Sequence, residues 1–346
     1  MELHHLEQRA LEKLALKVRH VFVTGASGFL GRAITLRLIS TGIKVTGFAR
    51  GNYPELEKLG VTMVKGDLAN EQAVVDAMLG CDLVFHVASK AGVWGDRDSY
   101  FKPNVDGASN IVKGCKTHNI AYLVYTSTPS VTFSGEDEDG IDESTPHATH
   151  FLNYYAHSKS LAERLILDSN NTTLKTVALR PHLIWGPRDP HLVPRVLERG
   201  KAGRLKLVGN KDKLVDTIFI DNAAYAHIQA ANELMSKNSK CAGQAYFLSN
   251  DEPIKMAEML NLILACDGLP PVTKRVPVSL AFAVGALLEV IYKVLYKQDE
   301  PMMTRFVAKQ LSCSHYFDIS KAKNDFDYQP IVTIKEGMER LANSLK

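Results

Sequence analysis

Cysteine is scarce in this sequence. Five occur in 346 residues, at positions 81, 115, 241, 266 and 313. An odd number without tight spacing excludes a disulfide framework and a four-cysteine zinc site, and points to a reducing, cytoplasmic setting. An excess of one charge is also lacking. Forty-one Lys and Arg against 38 Asp and Glu leave a formal charge of +3, too little for a strongly basic nucleic-acid binder. With 45% hydrophobic residues the composition is that of a folded chain, not a long disordered one. Residues 1–19 lack the apolar core of about 7 to 15 residues that export requires. Leu3, Leu6, Ala10, Leu14 and Val18 fall instead at helical spacing, predicting a short amphipathic helix packed on the body.

What is present is a rhythm. From His20, apolar strand patterns alternate with helical ones: strands at 20–25, 44–49, 61–67, 81–89, 121–128 and 175–181, helices at 32–42, 71–79, 104–118 and 154–169. This predicts an α/β fold, a Rossmann-type doubly wound and mostly parallel sheet covered on both faces. Past residue 181 the rhythm breaks. We expect an N-terminal helical extension over 1–19 and a nucleotide-binding domain over 20–181, with returning elements around 214–248. A smaller, interleaved C-terminal substrate-binding lobe takes most of 182–346.

The first strand runs into Gly25-Ala-Ser27-Gly28-Phe29-Leu30-Gly31 and then a helix. Glycines at such a turn let a pyrophosphate approach the backbone and the helix N-terminus. At the end of the second strand an NAD site wants an acid for the ribose 2′-hydroxyl, but this chain has Arg50. A guanidinium meets the extra phosphate of NADP with forked hydrogen bonds, so the cofactor read here is NADP(H). Asp67, beside Leu68 at the close of the third strand, is placed to accept from the adenine amino group; a helix cap would look the same. Tyr155 and Lys159 share one face of a helix. We expect the Lys159 cation to lower the Tyr155 pKa and make it a proton donor to a carbonyl oxygen. The upstream strand end offers the hydroxyls of Ser127, Thr128 and Ser130.

In this order, the glycine turn, the hydroxyl-bearing strand end and the YxxxK helix resemble the extended short-chain dehydrogenases/reductases, and within them the 3β-hydroxysteroid dehydrogenase branch. The similarity runs from His20 to Leu341. It implies catalytic roles for Thr128, where the family has serine, and for Tyr155, Lys159 and Asn104, whose side chain supports the active-site helix and a proton-relay water. It also implies that Arg180-Pro181 and the following Trp185-Gly186-Pro187 close over the nicotinamide, with Trp185 replacing a tyrosine. The segments RGNYPELEKLGV, ASKAGVWGDRDSY, YTSTPSV and LRPHLIWGPRDPHLVPR are similar to bacterial β-keto acid reductases of long-chain olefin biosynthesis. Those enzymes reduce a long-chain 2-alkyl-3-oxoalkanoic acid to the 2-alkyl-3-hydroxyalkanoic acid. The same resemblance implies a homodimer and association with a thiolase-like condensing enzyme and a β-lactone synthetase. A 3β-hydroxysteroid or sterol-4-carboxylate dehydrogenase is the alternative, followed by another carbonyl reductase and a non-catalytic NADP-binding protein.

On the substrate side, Lys90 or Arg97 is available to a carboxylate and Trp94 to an alkyl chain, unless the segment is simply a solvent-facing loop. Residues 276–296 form a long apolar run interrupted by Glu289 and Lys293, which are spaced to pair on one helical face. Burying both charges argues against a membrane span. The run reads as a soluble helix packed on the lobe, with an interfacial helix at the membrane surface as the other reading. His147 and His150 read as polar surface with no metal role, and the acidic run 135–144 as a hydrated loop.

Overall fold

The computed structural model describes residues 3–346. Seven parallel strands form one sheet in the spatial order Gln244–Leu248, Lys175–Pro181, Tyr122–Thr126, Leu83–His86, His20–Thr24, Lys44–Ala49 and Thr62–Lys65. Val21, Phe22, Val23, Leu83, Val84 and Phe85 are all buried without alternation, because helices cover both faces. His5–Ala15, Phe29–Ser40 and Ile220–Leu234 pack together on one face; Glu71–Ala77, Gly107–Thr117 and Tyr154–Asp168 pack on the other. Separate apolar cores fill the two sides. The order in which strands are laid down switches direction between His20–Thr24 and Leu83–His86. The carboxyl ends of strands at such a switch open a crevice where α/β sheets take ligands. Both the glycine turn and the segment after His86 begin there.

The N-terminal helix forms over His5–Ala15 and turns Ala10, Leu11 and Leu14 inward. Its buried Glu7 pairs with Arg37, whose Nη2 also reaches Asp221 at 2.7 Å.

Beyond the main sheet lies a four-stranded one, in the order Ile254–Lys255, Leu214–Val215, His315–Phe317 and Glu138–Ile141. Here the acidic run departs from its reading as a hydrated loop. It supplies the last of these strands, and Glu138 is buried, accepting a 2.7 Å hydrogen bond from the Thr132 hydroxyl. Burial lifts that carboxyl to about 7.

One expectation for the 276–296 segment also changes. Glu289 pairs not with Lys293 but with Arg305, accepting from its Nε and its backbone N–H, each at 2.7 Å. Gly285 makes this approach possible, since a Cβ there would lie 2.6 Å from the Thr304 carbonyl carbon. The Val278–Val294 helix is therefore held along one narrow side, where only Ala281 and Gly285 are buried. It packs on the lobe along that side, with Ala281 against Val208 and Ala308, and the rest of its surface is open. Among the described residues no helix is long and apolar enough to cross a membrane.

Candidate active site

The glycine turn is built for close backbone approach. Gly25 has φ of +66°, which disfavours any side chain, and a Cβ on Gly31 would fall 2.1 Å from the Gly25 carbonyl oxygen. Gly28 caps the Phe29–Ser40 helix without a side-chain hydrogen bond. The first helical bond runs from Arg32 N–H to Gly28 O at 2.8 Å, so the amides of Phe29, Leu30 and Gly31 precede the ladder. They form a helix N-terminus suited to an anion, with half-buried Ser27 beside it. Arg50 is exposed just past the Lys44–Ala49 strand. Asp67 is exposed too; its Oδ1 accepts from Ala69 N–H at 2.9 Å, the cap-like contact, which leaves Oδ2 available. Leu68 is buried and its carbonyl accepts from Asn110 at 2.8 Å. Sequence reasoning passed over Arg32, whose buried Nη1 has no partner among the described residues. Its place directly after Gly31 was the available signal.

Asn153 starts the Tyr154–Asp168 helix by accepting from Ala156 N–H at 2.8 Å. That cap sets the phase which places Tyr155 and Lys159 one turn apart on one face. Asn104 braces the same helix. Its Nδ2 donates to Ser158 Oγ at 2.9 Å, while its Oδ1 accepts from Lys90 N–H at 2.7 Å. It sits in a π-helical turn, Lys102–Asp106, a local irregularity common at functional sites.

The electrostatics differ from the sequence expectation. Burial holds the Tyr155 phenol above its ordinary value, and the Thr128 hydroxyl, not Lys159, pulls the other way. Lys159 Nζ is directed elsewhere. It donates to the Thr126 carbonyl at 2.6 Å and lies 4.2 Å from the centre of the Tyr125 ring. Desolvation lowers its pKa to about 7, against an opposing pull from Glu163.

The polar groups around Lys159 have assignable protons. His227 Nδ1 lies 2.7 Å from the Ala223 carbonyl, which can only accept, so Nε2 accepts from the Thr126 hydroxyl at 2.8 Å. Thr24 Oγ1 accepts from the backbone N–H groups of Val87 and Ala88 and therefore donates to His86 Nδ1 at 2.8 Å. The His86 Nε2 proton is buried without a partner among the described residues. Burial, and secondarily the Lys159 charge, hold His86 to about 3. These neutral groups leave Lys159 poorly solvated.

A stability prediction follows from the sign of that shift. Because folding depresses the Lys159 pKa from 10.5 to about 7, its burial penalty grows as pH falls through that window and is full below it. Lys159→Met should thus raise the melting temperature of the cofactor-free protein by a few degrees at pH 7, with the gap closing above about pH 10. A lower melting temperature at pH 7 would count against this reading of the lysine.

Beneath the helix lies a group the sequence left unconnected. Fully buried Glu163 accepts from Arg180 Nε at 3.0 Å and makes a 2.7 Å contact with His147 Nε2. His147 Nδ1 meets Ser160 Oγ at 2.9 Å. His147 is therefore half-buried against that carboxylate and not free polar surface, because a buried carboxylate needs every donor within reach; His150 is exposed. The paired donors hold the Glu163 carboxyl down at about 2 against its burial. Pro181 is buried at the end of its strand. Trp185 is core, packed edge-on to Phe219 with ring centroids 5.1 Å apart. On the substrate side, Lys90 lies over the Tyr100 ring, Arg97 over Phe101, and Trp94 donates to the Lys297 carbonyl at 3.0 Å.

The model of the 3-beta hydroxysteroid dehydrogenase/isomerase family matches residues 22–276. A protein of Shewanella oneidensis named 2-alkyl-3-oxoalkanoate reductase is 70% identical over 346 residues, covering 98% of this chain and 89% of that one. The mouse sterol-4-alpha-carboxylate 3-dehydrogenase, decarboxylating, is 33% identical over 333 residues, covering 95% and 91%. Among solved structures, the UDP-glucuronic acid 4-epimerase of Bacillus cereus in complex with NAD superposes with a TM-score of 0.73 at 19% identity, covering 94% of this chain and 98% of that one. At that identity the likeness shows the fold. With a glycine turn at the switch point of a parallel sheet and a Tyr-Lys helix beside it, the chain has an NAD(P)-binding Rossmann fold and belongs to the 3-beta hydroxysteroid dehydrogenase/isomerase family.

Proposed function

We propose that this chain is an NADPH-dependent oxidoreductase that reduces a long-chain 2-alkyl-3-oxoalkanoic acid, a β-keto acid, to the 2-alkyl-3-hydroxyalkanoic acid. The observation that carries this reading is full-length similarity, at 70% identity, to a reductase named for that substrate. The sterol dehydrogenase stands at 33% and supports the same chemistry on a different skeleton. In this reading residues 20–181 hold the cofactor and most of 182–346 forms the substrate lobe. A homodimer, and contact with a condensing enzyme and a β-lactone synthetase, belong to the proposal as well.

The residues fit the cofactor. The turn from Gly25 through Ser27 to Gly31 receives the pyrophosphate, where a Cβ on Gly31 would intrude on the Gly25 carbonyl. Arg50 takes the 2′-phosphate, Asp67 and Leu68 border the adenine, and Lys159 and Pro181 border the nicotinamide ribose. Bound NADPH supplies the hydride for C3 of the substrate. Tyr155 holds the proton: its raised pKa keeps the phenol protonated at neutral pH, and it donates to the developing C3 oxyanion. Thr128 orients the substrate carbonyl and stabilises the phenolate left behind. Lys159, charged once a phenolate faces it, would return a proton to Tyr155, with Asn104 bracing the helix that carries both. Lys90 or Arg97 pairs with the substrate carboxylate.

The cofactor half is tested by exchange of one residue. Arg50→Asp should weaken NADPH binding by about tenfold to a hundredfold, the range of a lost charge-assisted hydrogen bond, and improve NADH binding. Dissociation constants by fluorescence titration would show it. Equal affinity of the unaltered protein for both cofactors would defeat the NADPH assignment. The substrate half can be approached in the stable direction, with NADP and a long-chain 2-alkyl-3-hydroxy acid. Reduced cofactor should form at a rate far above that of a simple secondary alcohol.

A further inference from the structure

The Val278–Val294 helix carries an apolar stripe on its solvent side. Leu280, Val284, Leu287, Ile291 and Val294 recur at intervals of three and four, with Val290 and Leu295 beside them, and all are exposed. Leu287 and Val290 are each 60% exposed and Tyr296 is 86% exposed. A helix face this long and this dry in composition is unusual on a surface that meets only water. The charges around it lean basic. Lys274, Lys293 and Lys297 are exposed; of the acids, Glu289 is taken up by Arg305, Asp212 by Arg275 and Glu300 by Arg195, which leaves exposed Asp299 against the three lysines.

We propose that this face docks on an anionic lipid bilayer, lying in the headgroup plane with the stripe inward and Lys293 and Lys297 on phosphate. Charge complementarity selects the bilayer: an apolar stripe ending in two cations and an interfacial tyrosine matches a surface apolar below and negative above. The helix lies in the interface and does not span it. Trp94 ties the patch to the interior. Its indole donates to the Lys297 carbonyl and stands edge-on to Tyr292 at 6.1 Å, in the segment whose Lys90 is clasped by Asn104. A long-chain substrate would thus enter from lipid beside the proposed catalytic helix. That link rests on the proposed function, while the lipid contact does not.

Flotation of the full-length protein reads the contact without turnover. Vesicles of phosphatidylethanolamine with phosphatidylglycerol should carry it upward, and vesicles of phosphatidylcholine alone should carry less. Leu287→Glu with Ile291→Glu should cut the floated fraction roughly tenfold or more at an unchanged melting temperature. Lys293→Gln with Lys297→Gln should lower it on anionic vesicles at low salt only. If the glutamate pair melts early, Val294→Glu, at the exposed end, carries the same expectation. Trp94 fluorescence should shift to the blue on vesicle binding, since Trp185 is already fully buried. Failure of the intact protein to float on either vesicle would overturn the proposal. So would equal flotation of the glutamate variants, or light scattering showing a dimer through this face that they split without any flotation.

Discussion

Tyr155→Phe is expected to lower kcat by roughly 10²- to 10⁴-fold, the usual contribution of a positioned general acid. NADPH affinity should stay within a few-fold of the original, because the phenol proton is used only as charge develops on the substrate oxygen. The structure gives the reason for a large effect. Thr128 carries a hydroxyl at the same place, its oxygen accepting from Ser130 N–H at 3.2 Å, but an alcohol facing the phenol is a far weaker acid and serves to stabilise the phenolate, not to replace it. Lys159 is turned toward Thr126. Neither is poised to deliver a proton in place of the phenol. Single-turnover measurements with saturating NADPH would separate chemistry from binding, and an unimpaired rate would mean that the proton comes from elsewhere.

Arg180→Met is expected to have the largest effect on stability. It leaves the Glu163 carboxylate fully buried with only His147 and Ser127 to face it, and unpairing a buried charge costs about 3–5 kcal/mol. The pH dependence gives an independent sign. In the unaltered protein the Glu163 pKa is depressed from 4.5 to about 2, so its stabilising contribution is present above pH 4.5 and is lost as pH falls toward 2. In the variant the carboxyl has no cation to hold it down, and the acid loss should begin at higher pH. Denaturant melts at several pH values would show both effects. A variant as stable as the original at pH 7 would mean that His147 alone satisfies the carboxylate.

The parts of the site that the sequence revealed are those whose partners lie a few residues apart. The turn from Gly25 to Gly31 and the pair Tyr155 and Lys159 are local patterns, each set by one turn or one helix phase. The supports are different in kind. His227 reaches Thr126 across 101 positions, Arg180 reaches Glu163 from a neighbouring strand, and Glu7 reaches Arg37 from another helix. Spacing carries no signal for such contacts, because each is fixed only once the sheet has formed. Where a local rule did apply, it could be outbid. An exposed i,i+4 ion pair contributes a few tenths of a kcal/mol, so Glu289 turns to Arg305, which offers two hydrogen bonds. The acidic run misled because charge density reports average hydration, whereas Glu138 is one buried residue with one hydroxyl partner. The parallel sheet was legible because strands covered on both faces are apolar throughout, and that pattern needs no knowledge of partners.

Purified full-length protein with NADPH should be given, in parallel, a freshly prepared long-chain 2-alkyl-3-oxoalkanoic acid and a 3-oxosteroid, with cofactor oxidation followed by absorbance and products identified by mass spectrometry. Rapid NADPH consumption on the β-keto acid, yielding the 2-alkyl-3-hydroxy acid with its carboxyl retained, and little or none on the steroid, is the predicted result. Turnover confined to the steroid, or tight NADPH binding with no turnover on either, would contradict it.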